Sequence, residues 1–298
     1  MAQKRKRLVL FWAQCRVRKQ GNQRYRLTPE EEEMLTRHRL KTDSFEDLPE
    51  WLIEMQDGKE EVSEHVVIEG NTAIICDVHL GFHDIDAIRA CIQYLRKMKV
   101  DNIVLNGDTI DAHKLSRWAK RKDDIEFSTE LQMARNFIDN LRMTFSKAKL
   151  YFKVGNHEDR LENYIQEKAD QFAGLVSWQS LLELDAKGIK FVDSNQLMFC
   201  HGTWIAHGHE IKVNGGANPA VNLMNKTLTN TCMGHLHRSQ TIQKKTLDGE
   251  FLRADVIGTL SKLKRAYAPY TQSNHGFAFI HEDGECQNIR IQDGKVKR

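Results

Sequence analysis

The 298-residue chain has no apolar run long enough to cross a bilayer, no Cys-x-x-Cys pair, no internal repeat and no low-complexity segment. The longest early apolar run, Leu8 to Ala13, lies between Lys4-Arg5-Lys6-Arg7 and Gln14-Cys15-Arg16. It is far shorter than the roughly 20 residues a spanning helix needs, and it makes a poor secretory signal. Gln14 ahead of Cys15 argues against a lipoprotein cleavage site, so no membrane contact is expected. The six cysteines, at 15, 76, 91, 200, 232 and 286, show no framework spacing, and several fall inside apolar strand-like runs. Buried free thiols in a reducing, cytoplasmic compartment are the reading.

Acidic residues are absent from one stretch. Residues 1–26 carry nine Lys or Arg and no Asp or Glu, leaving 35 basic against 41 acidic residues elsewhere, a net of −6 within an overall +3. A basic arm on an acidic body suits contact with nucleic-acid phosphates; a solvated terminus with no partner is the competing reading. The remainder, in a chain 40% hydrophobic and 29% charged, can bury one large core or two modest ones.

Thr28-Pro29-Glu30-Glu31 has an N-cap, a first-turn proline and a capping-box glutamate, and predicts a helix over about 29–40. Beyond it, Leu48-Pro49 and Asp57-Gly58 interrupt the chain. Residues 1–62 therefore read as a small, mostly helical, basic extension, and 63–298 as the main domain. From His65 the pattern alternates between strands and helices. Thr72 to Cys76, Ile103 to Leu105 and Leu150 to Val154 are strands. Helical spacing runs through Ile85, Ile88, Cys91, Leu95 and Met98, and again through Phe127, Leu131, Ala134, Ile138, Leu141 and Phe145. Such alternation implies an α/β fold with parallel strands and crossover helices. The second half is richer in strands, at Trp204–Ala206, Thr231–Met233, Phe277–Ile280 and Cys286–Ile291, with Asp283-Gly284 turning the last two into a hairpin.

Five of these apolar strands stop at metal-ligand chemistry. The stops are Asp77-Val78-His79, then Gly107-Asp108 with Asp111, Gly155-Asn156-His157-Glu158, His207-Gly208-His209, and Gly234-His235-Leu236-His237. An isolated Asp-x-His or His-x-His is commonly a turn or a surface histidine. Carboxyl ends of strands in open α/β sheets share one crevice, however, so five distant segments can converge there. Two divalent ions about 3.5–4 Å apart need a shared anionic bridge, and Asp108, central among the motifs, is the candidate. Carboxylate, amide oxygen and imidazole together suit manganese, iron or zinc better than calcium or magnesium, with manganese preferred.

The ordered set DVH, GDTID, GNHE, HGH and GHLH resembles the calcineurin-like metallophosphoesterase superfamily over roughly residues 66–298. The resemblance implies a two-sheet sandwich flanked by helices in four layers, with two divalent metal ions at the strand ends. It implies that Asp77, His79 and His237 complete one metal site around Asp108, and that Asn156, His207 and His235 complete the other. His157 is similar to the family's catalytic histidine and would protonate the leaving oxygen while a metal-bridging hydroxide attacks phosphorus in line. Asp111, one helical turn after Asp108, would orient His157; a helix N-terminal charge is its other reading. The family pattern places the ligand before Gly-His, which favours His207 and leaves His201 structural.

Other residues have plainer readings. His209 could touch substrate or be a loop histidine, Glu158 and Arg160 could pair locally, and His275-Gly276 could be a turn. The cations at 114, 117, 120, 121 and 122, with Trp118 among them, read either as a solvated helix face or as a phosphate-guiding surface. The phosphoprotein phosphatase branch writes GDxxDRG and HGG, whereas this chain has Asp111-Ala112-His113 and His207-Gly208-His209. With GHLH and the basic arm, this favours phosphodiester hydrolysis in DNA or RNA. GDTIDAH and GNHEDRLENY also resemble phosphoesterases encoded by bacteriophages. A phosphomonoesterase and a non-catalytic nucleic-acid-binding scaffold are the alternatives, and retention of every ligand type with His157 and Asp111 argues against the scaffold.

Overall fold

The structure is a computed structural model that describes residues 65–120, 124–213, 215–264 and 271–297. The expected extension over 1–62, its helix near 29–40, Cys15, Arg121 and Lys122 lie outside the described residues.

One sheet has seven strands. Its parallel half is β2 (Thr72–Ile75), β3 (Asn102–Asn106), β4 (Lys149–Lys153) and β5 (Ile189–Val192). Beside β2, antiparallel, come β11 (His275–Ile280), β12 (Cys286–Gln292) and β13 (Lys295–Lys297). The other sheet runs β1 (Val66–Ile68), β6 (Met198–Cys200), β7 (Thr203–Ala206), β8 (Thr231–Met233), β10 (Phe251–Val256) and β9 (Gln240–Lys245). Helices α1 (Ile85–Leu95) and α2 (Phe127–Thr144) follow β2 and β3, α3 (Asp159–Lys168) and α4 (Trp178–Leu182) follow β4, and α5 (Pro219–Thr227) follows β7.

Every residue of β2 and β3 is buried, because both faces of this sheet are covered. The period of two then separates two cores. Ala73, Ile75, Ile103 and Leu105 meet Ala87, Cys91, Ala134 and Ile138 of α1 and α2. Ile74, Val104 and Tyr151 point the other way, against Met198, Ile205 and Cys232 of the second sheet. A third core packs Ala220, Leu223 and Met224 of α5 on Ala254 and Val256. Helices, sheet, sheet and helix are the four expected layers. Cys76, Cys200, Cys232 and Cys286 fill the inter-sheet core as free thiols, and Cys91 is buried on the core face of α1. Among the described residues, no helix is long and apolar enough to cross a membrane.

Three local expectations fail. Asp108 and Asp111 are not one turn apart on a helix: Asp108 is left-handed and Ile110 bridges to Leu80, so this stretch is a loop pinned to the β2 loop, and the helix-charge reading of Asp111 falls with it. Among the described residues, only a three-residue 3-10 turn, His113–Leu115, stands where a basic helix is expected. His275 and Gly276 begin β11 and make no turn.

Candidate metal centre

All the expected donors lie just past the C-terminal ends of strands. Asp77 and His79 follow β2, Asp108 follows β3, Asn156 follows β4, His207 follows β7, and His235 and His237 follow β8, so both sheets contribute. Five of them, Asp77, His79, Asp108, His235 and His237, have φ between 47° and 67°. That conformation costs a non-glycine residue on the order of 1–2 kcal/mol, so something must hold these loops. Close approach does part of it: a Cβ on Gly155 would lie 2.4 Å from Asp108 Oδ1, and one on Gly234 would lie 2.6 Å from Asp77 Oδ2.

Buried carboxylates do the rest by accepting backbone N–H groups. Glu158, fully buried, takes Asp108 N and Gly155 N on Oε2, each at 2.9 Å, and Ile110 N on Oε1 at 2.8 Å. Glu130, on the core face of α2, takes Asp111 N and Ala112 N at 2.6 and 2.8 Å. Glu210 takes His207 N and Gly208 N at 2.9 and 2.7 Å, and the buried Lys153 ammonium lies 3.3 Å from it. Burial first, then the charge of Asp108, pushes the Glu158 carboxyl up to about 7; burial likewise pushes Glu130 up to about 7. Glu158 is thus a clamp on two ligand loops and does not pair with Arg160 as expected. Glu158→Gln would set an amide NH2 against a backbone N–H, leaving a buried donor unsatisfied at a cost of about 1–3 kcal/mol. Thermal melting should show a loss of roughly 2–12 °C; an unchanged midpoint would show that this clamp does not hold the loops.

The donor atoms form two groups that meet at Asp108. In the first, His79 Nδ1 donates to Asp111 Oδ1 at 2.7 Å, so its Nε2 presents a lone pair. That Nε2 lies 3.1 Å from His237 Nε2, which is itself 3.1 Å from Asp77 Oδ1. Asp77 Oδ1 is buried without an aligned hydrogen bond. In the second group, His207 Nδ1 donates to Asn106 O at 2.8 Å, turning its Nε2 lone pair toward Asn156 Oδ1 and Asp108 Oδ2, both at 3.3 Å. His235 belongs to this group, and its Nδ1 is buried without a partner. Acceptors crowding one point repel unless a cation lies among them, so the residues fit divalent metal ions. The titration directions agree. Burial lowers His207, but Asp108 and Asp77 outweigh it and push the imidazole up to about 10, which marks a place where the field calls for positive charge. Burial and the neighbouring His157 push His79 down to about 4, keeping it neutral as a ligand must be.

Asp108 Oδ1 accepts His157 N at 3.0 Å, leaving Oδ2 to face His79 Nε2 at 3.9 Å, His207 Nε2 at 3.3 Å and His157 Nε2 at 3.8 Å. A single carboxylate oxygen therefore stands between both groups and the third imidazole. His157 is held from behind, Nδ1 donating to Asp111 Oδ1 and to Asp111 O, each at 3.0 Å. Asp111 thus grips His157 and His79 together, more than orientation of one ring required. Burial alone would raise the Asp111 carboxyl, but the hydrogen bonds from these two imidazoles hold it far below the usual carboxylate range. Burial lowers His157, and Asp108 and Asp111 outweigh it to raise the imidazole. Arg160 Nη2 donates to His157 Nε2 at 3.1 Å, and its Nη1 donates to Asp111 O at 2.6 Å. His201 is structural, its Nε2 accepting Gly70 N, and His209 is tied to Ser194 Oγ at 2.8 Å, outside both donor groups.

A family model for calcineurin-like phosphoesterases matches residues 70–255, more than half of the chain. The protein belongs to the calcineurin-like phosphoesterase family. The chain is also 29% identical over 231 residues to the Gene 54 protein of Mycobacterium phage L5, covering 71% of this chain and 89% of that protein. This similarity agrees with the phage-like wording of the motifs. Among solved structures, vacuolar protein sorting 29 of Cryptosporidium parvum aligns with a TM-score of 0.41 at 11% identity, over 77% of this chain and 95% of that one. Vps29 of Chaetomium thermophilum aligns with 0.38 at 12%, over 76% and 95%.

Among the functional residues, Glu130, Glu158, Glu210 and Arg160 had no assigned role in the site from sequence. Glu130 did carry a signal: it is a charge beside Leu131 on the apolar stripe of a predicted helix.

Proposed function

We propose that this calcineurin-like phosphoesterase hydrolyses phosphodiester bonds in DNA or RNA, with Asp77, His79, Asp108 and His237 holding one divalent ion and Asp108, Asn156, His207 and His235 the other. The observation that carries the reading is Asp108 Oδ2, one anionic oxygen within 3.9 Å of imidazoles from both groups and of His157. Bound there, two divalent cations would acidify water and offset charge on the phosphate; manganese suits the donors best, and iron and zinc are the alternatives. His157 is the general acid. Its Nδ1 is engaged by Asp111, so Nε2 is the end that delivers a proton to the leaving oxygen. Arg160 and a proton cannot share Nε2, and the substrate phosphate, once present, draws the guanidinium off it.

The diester preference rests on charge. Ala112 stands where a phosphomonoesterase of the phosphoprotein branch has its arginine, and its loop is left-handed and buried. Arg160 is the cation beside His157, a better match to a monoanionic diester than to a dianionic monoester. Free thiols throughout the described core suit a reducing cytoplasm. The test compares manganese-loaded protein on single- and double-stranded DNA and RNA with its action on an aryl phosphate monoester and a bis-aryl diester. Faster turnover of the monoester than of every diester would overturn the assignment.

The domain division enters the same reading, with residues 1–62 as a basic extension and 63–298 as the catalytic unit. Deleting residues 1–26, which hold nine Lys or Arg, should weaken binding of long nucleic acid. The slope of log K against log salt should flatten by about 0.9 for each duplex phosphate that the arm no longer neutralises, up to about 8. Hydrolysis of a small aryl diester should stay within about twofold of the full chain, since every ligand motif lies outside the arm. An unchanged slope would make the arm a passive tail.

A further inference from the structure

We propose that the cleft between the Leu115–Trp118 segment and α3 seats a nucleotide of a single-stranded substrate, its base against Trp118 and Tyr164 and its phosphate toward Arg160. This deepens the phosphodiesterase reading and rests on it for the identity of the substrate. The cleft encloses about 610 Å³. One wall is a stripe of α3 at positions 160, 163, 164, 167 and 168, beside the face that buries Leu161 and Ile165. That spacing is one side of a helix, and from Arg160 to Lys168 it extends about 12 Å. The facing wall carries Arg117 and Trp118.

The inner end of the cleft is the candidate metal centre. Asn156 lines both, and Arg160 reaches from the stripe to within 3.1 Å of His157 Nε2. A ligand in the cleft therefore abuts the phosphate under attack. Trp118 is 65% exposed and Tyr164 42% exposed, one on each wall. Exposed rings at both sides of a slot offer stacking faces, and such faces can be used only by bases not already stacked in a duplex. The charged lining is Arg117, Arg160 and Lys168 against Glu167, a positive balance that suits a phosphodiester backbone. Lys114 and Lys120, expected to share a guiding surface, are both engaged: Lys114 with Glu126 at 3.0 Å, and Lys120 with Ser116 and Trp118 O of the facing wall itself.

The test uses the full chain and two substrates with the same leaving group, thymidine 5′-(4-nitrophenyl phosphate) and methyl 4-nitrophenyl phosphate, plus a short single-stranded oligonucleotide. Trp118→Ala and Tyr164→Ala should raise KM for the thymidine ester and the oligonucleotide by roughly 5- to 150-fold, the range expected when one base loses its stacking partner. The methyl ester should be unaffected, and Trp118→Phe should restore much of the loss. Separately, metal-free protein titrated with the oligonucleotide should show fluorescence quenching that Trp118→Phe removes, one of five tryptophans being responsible. Binding and quenching without cleavage would overturn the phosphodiesterase reading and keep the cleft. Cleavage with KM and quenching unchanged in the variants would overturn the cleft and keep the reading. Neither binding nor cleavage would overturn both.

Discussion

Asp108→Ala should abolish turnover and leave fewer than two metal ions per chain by elemental analysis. Two divalent ions about 4 Å apart repel by about 17 kcal/mol even at an effective dielectric of 20, which no neutral neighbour offsets. Asp108 is the residue that can offset it, because Oδ2 faces donors of both groups at 3.9 and 3.3 Å while Oδ1 is engaged by His157 N. Asp108→Asn separates charge from scaffold. The amide oxygen can still accept the His157 N–H, so the loop should keep its place, but the shared anion is gone and metal loading should fall as in the alanine variant. Two ions retained by both variants, with circular dichroism unchanged, would move the bridge to another ligand.

The parts of this site that were legible in the sequence share a physical reason. Thr72 to Cys76, Ile103 to Leu105 and Leu150 to Val154 are buried on both faces, so they stand out as apolar runs in which Thr72 and Lys153 are the exceptions, and the polar residues that end them are conspicuous. The strands that escaped notice lack that contrast. β1 and β6 are three residues long and, unlike the fully buried β8, have a middle residue that is exposed or half-buried, and β9 is polar and largely exposed along Gln240–Lys245. The supporting carboxylates were hidden for another reason. Glu158 acts on backbone N–H groups 48 and 50 residues away, and a backbone donor leaves no trace in residue identity. Spacing instead suggested Arg160, two positions along, as its partner.

Those carboxylates explain how strained loops can form a rigid centre. Asp77, His79 and Asp108 adopt a conformation that local preference disfavours, and Asp77 itself accepts His235 N at 2.9 Å, joining the loops of the two sheets. Each tie fixes a donor before any ion arrives, which reduces the ordering cost of binding. The same economy is visible at Asp111, where one oxygen sets the tautomer of His79 and of His157. Asp111→Asn should accordingly weaken retention of the ion at His79 as well as impair proton transfer, two losses from a single atom.

His157→Ala should slow hydrolysis of an oligonucleotide by on the order of 10²–10⁴ while costing far less on an activated 4-nitrophenyl diester. A nucleotide alkoxide is a poor leaving group that must be protonated as it departs, whereas nitrophenolate leaves unaided. The ring is well placed to donate that proton, because Asp111 takes Nδ1 at 3.0 Å and Nε2 points to the centre 3.8 Å from Asp108 Oδ2. Both ions should remain, since the proposed ligands supply each site without His157. The alanine variant also frees Arg160 from its hydrogen bond to Nε2, so KM for the diester should hold or fall even as kcat drops. Equal losses on both substrates with both ions bound would remove His157 from the general-acid role, and loss of an ion would make it a ligand.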